Sequence, residues 1–239
     1  MSEAGPAVRL EAVRFAWKRG EPDLLDIGRL EIARGERLFV VGPSGSGKST
    51  LLNLLGGVVV PRAGRVEVLG TDLCRLPGRR RDAFRAEHVG FVFQLFNLVP
   101  YLSLLDNVTL PCRFAPGRRR RAEARAGSVG GEAVRLLAGL ELGDEGLRRR
   151  PVTELSIGQQ QRVAAARALI GSPEIVVADE PTSALDEGTR ERFLALLLAE
   201  CAAQGTTLVF VSHDTRLGPR FDRRLAVGEL GASAPAGSP

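Results

Sequence analysis

The chain has 239 residues, enough for one large domain or two small ones, and its 44% hydrophobic content is ordinary for a globular protein. This composition excludes a largely disordered chain. The formal net charge of +5 at pH 7 is compatible with nucleic acid or an anionic membrane surface as a partner. However, no aromatic residues alternate with the arginine runs, so we interpret these runs as solvated loops and helix faces and expect no nucleic-acid partner.

Cysteine spacing and hydropathy argue against two further classes. Cys74, Cys112 and Cys201 are scattered and form no CxxC pair, which disfavours a disulfide framework or a zinc site and favours a reducing cytoplasm. The apolar stretches LFVVG and LLNLLGGVVV are too short and too interrupted by glycine to span a bilayer, and no signal-like segment opens the chain. We expect a soluble protein, or one attached to a membrane through another molecule.

In chain order, the alternation in VRLEAVRF predicts a strand, RLFVVG a buried strand that ends in a glycine-rich loop, and KSTLLNLLGG a helix that begins on that loop. RVEVLG and HVGFVF are predicted as further strands. Pro100 and Pro111 then bracket a short helix, and from there to about Leu169 the sequence is helical and rich in arginine.

The last third returns to alternating strands and helices. EIVVADE and TTLVFVSHD are predicted as apolar strands, with the helix ERFLALLLAECAA between them. Continuous apolar strands are typical of a parallel sheet that is covered on both faces. We therefore predict one domain, residues 1–230, with an α/β core (about 1–93 and 172–230) and a helical insertion (about 94–171). Residues 231–239 are small, uncharged and rich in proline, which predicts a disordered tail.

Residues 42–49, GPSGSGKS, match the phosphate-loop pattern GxxxxGK[ST] between a predicted strand and a predicted helix. In that context the glycines let backbone N–H groups converge on phosphate oxygens, and the helix N-terminus adds partial positive charge. Lys48 is predicted to neutralise the β and γ phosphates, and Ser49 to bind Mg²⁺. The predicted nucleotide-binding residues are Gly42, Pro43, Ser44, Gly45, Ser46, Gly47, Lys48, Ser49 and Thr50. A glycine-rich turn without function is the less favoured alternative.

Two adjacent carboxylates, Asp179 and Glu180, end the segment IVVADE, which is predicted as an apolar strand. A carboxylate at the carboxyl end of a parallel strand can reach a metal bound to phosphates, so Asp179 is predicted as a magnesium ligand. Glu180 points in a different direction, and we predict that it orients or deprotonates an attacking water. The alternative is that both carboxylates cap the next helix. This alternative is less favoured because the chain also contains a phosphate loop.

Three further residues are candidates for the same site. His213 follows the next apolar strand, which favours a γ-phosphate contact, whereas His88 receives a structural assignment. Gln94 ends the HVGFVF strand and is a neutral ligand that can reach metal or water. Trp17 follows the first strand, and stacking on adenine is favoured over packing in the core.

With these residues in order, the chain resembles the ATP-binding subunit of an ABC transporter from about Arg9 to Leu230. The residues that match that family's motifs are Trp17 (adenine stacking), 42–50 (Walker A loop), Gln94 (Q-loop), 155–159, LSIGQ (signature), Asp179 and Glu180 (Walker B), 183–186 (D-loop) and His213 (switch histidine). The resemblance implies a P-loop NTPase (RecA-like) core with an N-terminal antiparallel β-subdomain and an inserted helical subdomain. It also implies ATP hydrolysis with Mg²⁺.

In that family two subunits pair head to tail, and each signature contacts the ATP on the other subunit. The resemblance therefore adds Ser156, Gly158, Gln159 and Asp186 to the nucleotide contacts. The physical basis is a second anion-binding helix N-terminus that closes over the γ-phosphate. Ile157 departs from the usual glycine, and we expect it to be tolerated.

Two segments, GFVFQLFNLVPYLSLLDNVTLP and LSIGQQQRVAAARAL, are most similar to the group that serves lipoprotein release, macrolide and peptide export with FtsX-like or MacB-like permeases. That likeness implies an integral membrane permease that docks beside Gln94, on Leu95, Phe96, Leu98 and Tyr101. For each of these four side chains, packing in the core is an equally favoured alternative. It also implies a cytoplasmic location on the inner face of the cell membrane. The alternative is a non-transport ATPase of the same fold, acting on nucleic acid or ribosomes or regulating a cell-envelope enzyme.

Overall fold

A computed structural model of the protein describes residues 5–230, and the predicted tail at 231–239 lies outside the described residues. The strands are β1 (Val8–Phe15), β2 (Leu25–Ile32), β3 (Arg37–Val41), β4 (Ala63–Val68), β5 (Thr71–Asp72), β6 (Val89–Val92), β7 (Ile175–Asp179), β8 (Thr207–Val211) and β9 (Arg223–Ala226). The α-helices are α1 (Lys48–Leu55), α2 (Gly78–His88), α3 (Leu104–Thr109), α4 (Pro116–Ala126), α5 (Val129–Gly139), α6 (Glu145–Arg148), α7 (Ile157–Leu169) and α8 (Glu187–Gln204).

The strands form two sheets. The first is antiparallel, in the order β2-β1-β4-β5, and the second is parallel, in the order β6-β7-β8-β3-β9. Because β3, β7 and β8 are parallel neighbours, the segments that follow them emerge at one edge of the sheet. The predicted α/β fold with an antiparallel β-subdomain is confirmed.

Side chains of the parallel sheet alternate between two apolar clusters. In β8, Leu208 and Phe210 belong to the cluster that includes α5 and α7, whereas Val209 and Val211 belong to the cluster with α1 and the antiparallel sheet. This alternation follows from the two-residue period of a strand. The parallel sheet is thus covered on both faces, as its apolar strands predicted.

Helices α3 to α7 lie between β6 and β7 along the chain, where the helical insertion is predicted. Within this segment α3 packs on α7 and α4 packs on α5. The boundaries near residues 94 and 171 stay a prediction. Within residues 5–230, no helix has both the length and the apolar character that crossing a membrane requires.

The arginine run of α4 departs in part from the solvated surface that the sequence predicted, whereas Arg79, Arg80, Arg149 and Arg150 in the other runs are exposed as expected. Arg118 in α4 is only 2% exposed, and its Nε and Nη2 donate to the carbonyl oxygens of Ile170 (2.8 Å) and Ala168 (2.6 Å). Burial lowers the pKa of this guanidinium to about 10. Arg121 donates to the carbonyl of Gly171 at 2.7 Å. The run therefore fastens α4 to the end of α7.

Replacing this buried arginine should destabilise the fold. We expect Arg118→Ala to lower the free energy of unfolding by about 3 kcal/mol or more, because two buried carbonyls lose their donors and a cavity forms. The matched control is Arg119→Ala in the same helix, whose exposed pair with Glu123 should contribute less than about 1 kcal/mol. Denaturant unfolding of both variants measures the difference. Equal losses would contradict the anchoring role.

Candidate nucleotide-binding site

A cleft of about 550 Å³ opens where β3, β7 and β8 end. It brings together most of the residues that the sequence predicts for the site: Trp17, Gly42, Pro43, Ser44, Gly45, Gly47, Lys48, Ser49, Thr50, Gln94, Asp179, Glu180 and His213. Leu24 and Ser183 also line the cleft, although the sequence analysis assigned neither as a nucleotide contact. The resemblance had placed Ser183 in the D-loop, but nothing in the sequence around Leu24 distinguishes it from a core leucine.

The loop between β3 and α1 has a backbone shape that depends on glycine. Gly45 and Gly47 adopt the left-handed conformation, with φ of +79° and +96°. Gly47 has no side chain to cap α1, so the N–H groups of the first helical turn remain available to an anion. The Nζ of Lys48 donates to the carbonyls of Gly42 and Pro43, both at 2.9 Å. These two contacts hold the Lys48 ammonium inside the loop, where its positive charge is available to a phosphate.

Glu180 and His213 meet on one wall of the cleft. The Nδ1 of His213 lies 2.9 Å from Oε2 of Glu180, and the backbone N–H of His213 donates to the same oxygen at 3.4 Å. Glu180 has a φ of +46°, and its N–H donates to the carbonyl of Val211 at 3.0 Å. The Glu180 side chain is only 14% exposed and that of His213 is 71% exposed. The chain turn after β7 thus directs a shielded carboxylate towards an accessible imidazole.

The signature residues lie apart from this cleft, at the N-terminus of α7. The Oγ of Ser156 accepts a hydrogen bond from the N–H of Gln159 at 3.3 Å, and the N–H of Ser156 donates to Oε1 of Gln159 at 2.9 Å. This capping box leaves the hydroxyl hydrogen of Ser156 free to donate to an anion. Gly158 lies in the same first turn and does not line the cleft.

Two other predicted contacts also lie outside the walls of the cleft. Asp186 caps α8, where its carboxylate accepts from the N–H of Thr189 at 2.9 Å, and this hydrogen bond lowers the pKa of Asp186. Ser46 belongs to the phosphate loop, but its Oγ is buried without a hydrogen-bond partner among residues 5–230. Neither residue contacts the cleft of its own chain in this structure.

Ile157 begins α7, is 53% exposed and takes no part in the capping box. We expect Ile157→Gly to leave ATP affinity and turnover within about an order of magnitude of the unmodified chain. The reason is that the hydrogen bonds between Ser156 and Gln159 do not involve the Ile157 side chain. Steady-state ATPase assays test this expectation. Ser156→Ala, which removes the cap, serves as the disruptive comparison. Abolished activity in Ile157→Gly would contradict the expectation.

Comparison with known proteins decides the family. The sequence profile of the ABC transporter family matches residues 25–183, more than half of the chain. The chain belongs to the ABC transporter family. It is an ABC ATPase that binds and hydrolyses ATP, as the sequence motifs predicted. The individual residue roles stay predictions.

Individual relatives of this ABC ATPase agree with that membership. It is 42% identical over 226 residues to the lipoprotein-releasing system ATP-binding protein LolD of Novosphingobium aromaticivorans, covering 94% of this chain and 97% of LolD. It is 40% identical over 235 residues to the macrolide export ATP-binding/permease protein MacB of Chromobacterium violaceum, covering 95% of this chain but 34% of MacB. The predicted likeness to the lipoprotein-release and macrolide-export group is confirmed.

A solved structure has the same fold. The ATP-binding cassette MJ0796, described as a dimeric post-hydrolysis state bound to ADP and Pi, is 37% identical to this ABC ATPase. The two superpose with a TM-score of 0.76 over 92% of this chain and 93% of that one. At this identity the match supports the family as well as the fold.

Proposed function

We propose that two copies of this ABC ATPase pair head to tail, so that the signature of each copy completes the cleft of the other. The observation that carries the proposal is that four predicted nucleotide contacts lie away from the cleft of their own chain. These residues are Ser156, Gly158, Gln159 and Asp186. A capped helix N-terminus with a free hydroxyl hydrogen is a suitable second anion site. The dimeric description of MJ0796 supports this arrangement.

Within each cleft, Trp17 stacks on adenine, and the loop of residues 42–50 binds the phosphates with Lys48. Ser49, Gln94 and Asp179 line the same cleft and offer hydroxyl, amide and carboxylate oxygens, which suit Mg²⁺. A bound Mg²⁺ would neutralise phosphate charge. Glu180 orients or deprotonates the attacking water, and His213 contacts the γ-phosphate. Catalysis rests mainly on positioning and electrostatics, as in other phosphoryl transfers.

We further propose that the partner is an integral membrane permease of the FtsX-like or MacB-like type, which would hold the ATPase at the cytoplasmic face of the cell membrane. The relative MacB is an ATP-binding/permease protein and LolD is part of a lipoprotein-releasing system, which supports a membrane partner. Beside Gln94, Leu95 and Tyr101 are 82% and 84% exposed. Two hollows, of about 410 and 270 Å³, share Asn97 as a wall, and Phe114 (71% exposed) lines the second. Such exposed apolar side chains around hollows suit a protein partner.

Hydrogen bonds connect this exposed surface to α7, whose N-terminus carries the signature residues. Nη1 and Nη2 of Arg167 in α7 donate to the carbonyls of Asn97 and Phe96, both at 2.6 Å. Phe96 and Asn97 adopt positive φ values of 60° and 49°, so the segment after Gln94 has an unusual conformation that α7 holds in place. A permease that displaces this segment would move α7 and the Ser156 cap.

Affinity capture tests the permease proposal. Tagged Glu180→Gln protein, incubated with Mg-ATP in detergent-solubilised native membranes, should retain an integral membrane protein with four predicted transmembrane helices and a large extracytoplasmic domain, identified by mass spectrometry. The matched control is the Lys48→Ala, Glu180→Gln double variant, which should retain less because ATP binding is impaired. Recovery of ribosomal proteins or nucleic acid without a permease would contradict the transporter proposal.

A further inference from the structure

A single arginine connects the segment at residues 183–186 to the residue that follows His213. Nη1 of Arg190, in the first turns of α8, donates to Oδ2 of Asp214 at 2.6 Å, and Nη2 donates to the carbonyl of Leu185 at 3.2 Å. The side chains of Arg190 and Asp214 are only 20% and 13% exposed. A guanidinium with two fixed acceptors holds both of them in one geometry, because its donors form a rigid fork.

Asp214 is anchored to the end of β8 as well as to Arg190. Its N–H donates to Oγ of Ser212, which is buried, at 3.1 Å. Nε of Arg216 donates to Oδ1 of Asp214 at 2.9 Å, and the hydrogen bonds from Arg216 hold the pKa of Asp214 well below its usual range. The carboxylate is therefore charged and available to Arg190 at neutral pH.

His213 lies between Ser212 and Asp214, the two residues that these hydrogen bonds fix. Its side chain is largely exposed, and among the described residues its ring has one hydrogen-bond partner, Oε2 of Glu180. Its position thus depends on the backbone of its neighbours Ser212 and Asp214. The segment that contains Leu185 also contacts Glu180, because the N–H of Ser183 donates to the carbonyl of Glu180 at 3.2 Å.

We propose that Arg190 is a positioning residue that keeps His213 aligned with Glu180 and with the segment at residues 183–186. It does not touch the nucleotide. The inference rests on the proposed function, in which His213 contacts the γ-phosphate and Asp186 of one copy helps to complete the cleft of the other. When the dimer closes, a displacement of residues 183–186 is then passed on to His213. It passes from the carbonyl of Leu185 to the guanidinium of Arg190, and from there to the carboxylate of Asp214.

Steady-state ATPase kinetics in two backgrounds test the proposal. We expect Arg190→Ala to lower kcat about tenfold with KM for ATP changed less than about twofold, because geometry at the γ-phosphate is lost while nucleotide contacts remain. In the His213→Ala background, Arg190→Ala should lower kcat by less than about twofold, because a residue that acts through His213 has nothing left to position. Arg190→Lys, which retains the charge and one donor group, should give an intermediate kcat.

The control is Arg192→Ala in the same helix. Arg192 is 70% exposed and pairs with Glu141 at 2.6 Å, away from Asp214, so its removal should leave kcat unchanged. Thermal unfolding of each variant separates folding defects from positioning defects. If Arg190→Ala lowers kcat equally in both backgrounds, or not at all, the positioning role is wrong while the ATPase site stands. If His213→Ala itself leaves kcat unchanged, the proposed role of His213 fails and the role of Arg190 fails with it.

Discussion

The Glu180→Gln variant is expected to bind ATP, to hydrolyse it about a thousandfold more slowly, and to accumulate as a dimer with Mg-ATP. The amide keeps the size of the carboxylate and a hydrogen bond to His213, whose Nδ1 lies 2.9 Å from Oε2. It cannot accept the proton of an attacking water. Because ATP would hold two copies together, a chain that binds ATP without cleaving it stays in the closed dimer.

Light scattering after size exclusion, with and without Mg-ATP, measures the dimer, and phosphate release measures hydrolysis. Glu145→Gln is the matched control, since the Glu145 side chain is 88% exposed and pairs with Arg148 outside the cleft. The control should hydrolyse ATP at the unmodified rate and show no trapped dimer. A Glu180→Gln protein that binds ATP but remains monomeric would contradict the head-to-tail arrangement.

The Lys48→Ala variant is expected to bind ATP about 10- to 100-fold more weakly. Hydrogen bonds to charged groups contribute about 1.5–3 kcal/mol each, and this change removes the ammonium that would contact the β and γ phosphates. Loss of that ammonium also frees the carbonyls of Gly42 and Pro43, which it now binds at 2.9 Å. The loop therefore loses both its charge and part of its shape.

Calorimetric titration with ATP measures this change. Lys18→Ala is the natural control, because Lys18 is the other lysine of the chain and its side chain is 81% exposed, in a pair with Glu21. Its removal should leave the Kd for ATP unchanged. If Lys48→Ala binds ATP as tightly as the unmodified chain, the phosphate-loop assignment of Lys48 is wrong.

The elements that the sequence predicted correctly are those whose own residues carry the signal. The phosphate loop is contiguous and lies between a buried strand and a helix, and the strands β7 and β8 are buried along almost their whole length. In contrast, α2 was missed because none of its residues is buried, so it has no apolar period to detect. The strand β2 was missed as well, since Gly28 and Arg29 are consecutive exposed residues that break the alternation of apolar and polar positions.

The sequence by itself determined the family, the phosphate loop, the strand-end carboxylates and the α/β core, because these depend on local spacing and on alternation along one segment. Only the tertiary structure decided which distant groups meet. It brought Glu180 and His213 together, buried Arg118 against the end of α7, and joined Arg190 to Leu185 and Asp214. Such contacts join residues on different elements, and their geometry depends on how the strands pair and how the helices pack, which no local pattern encodes.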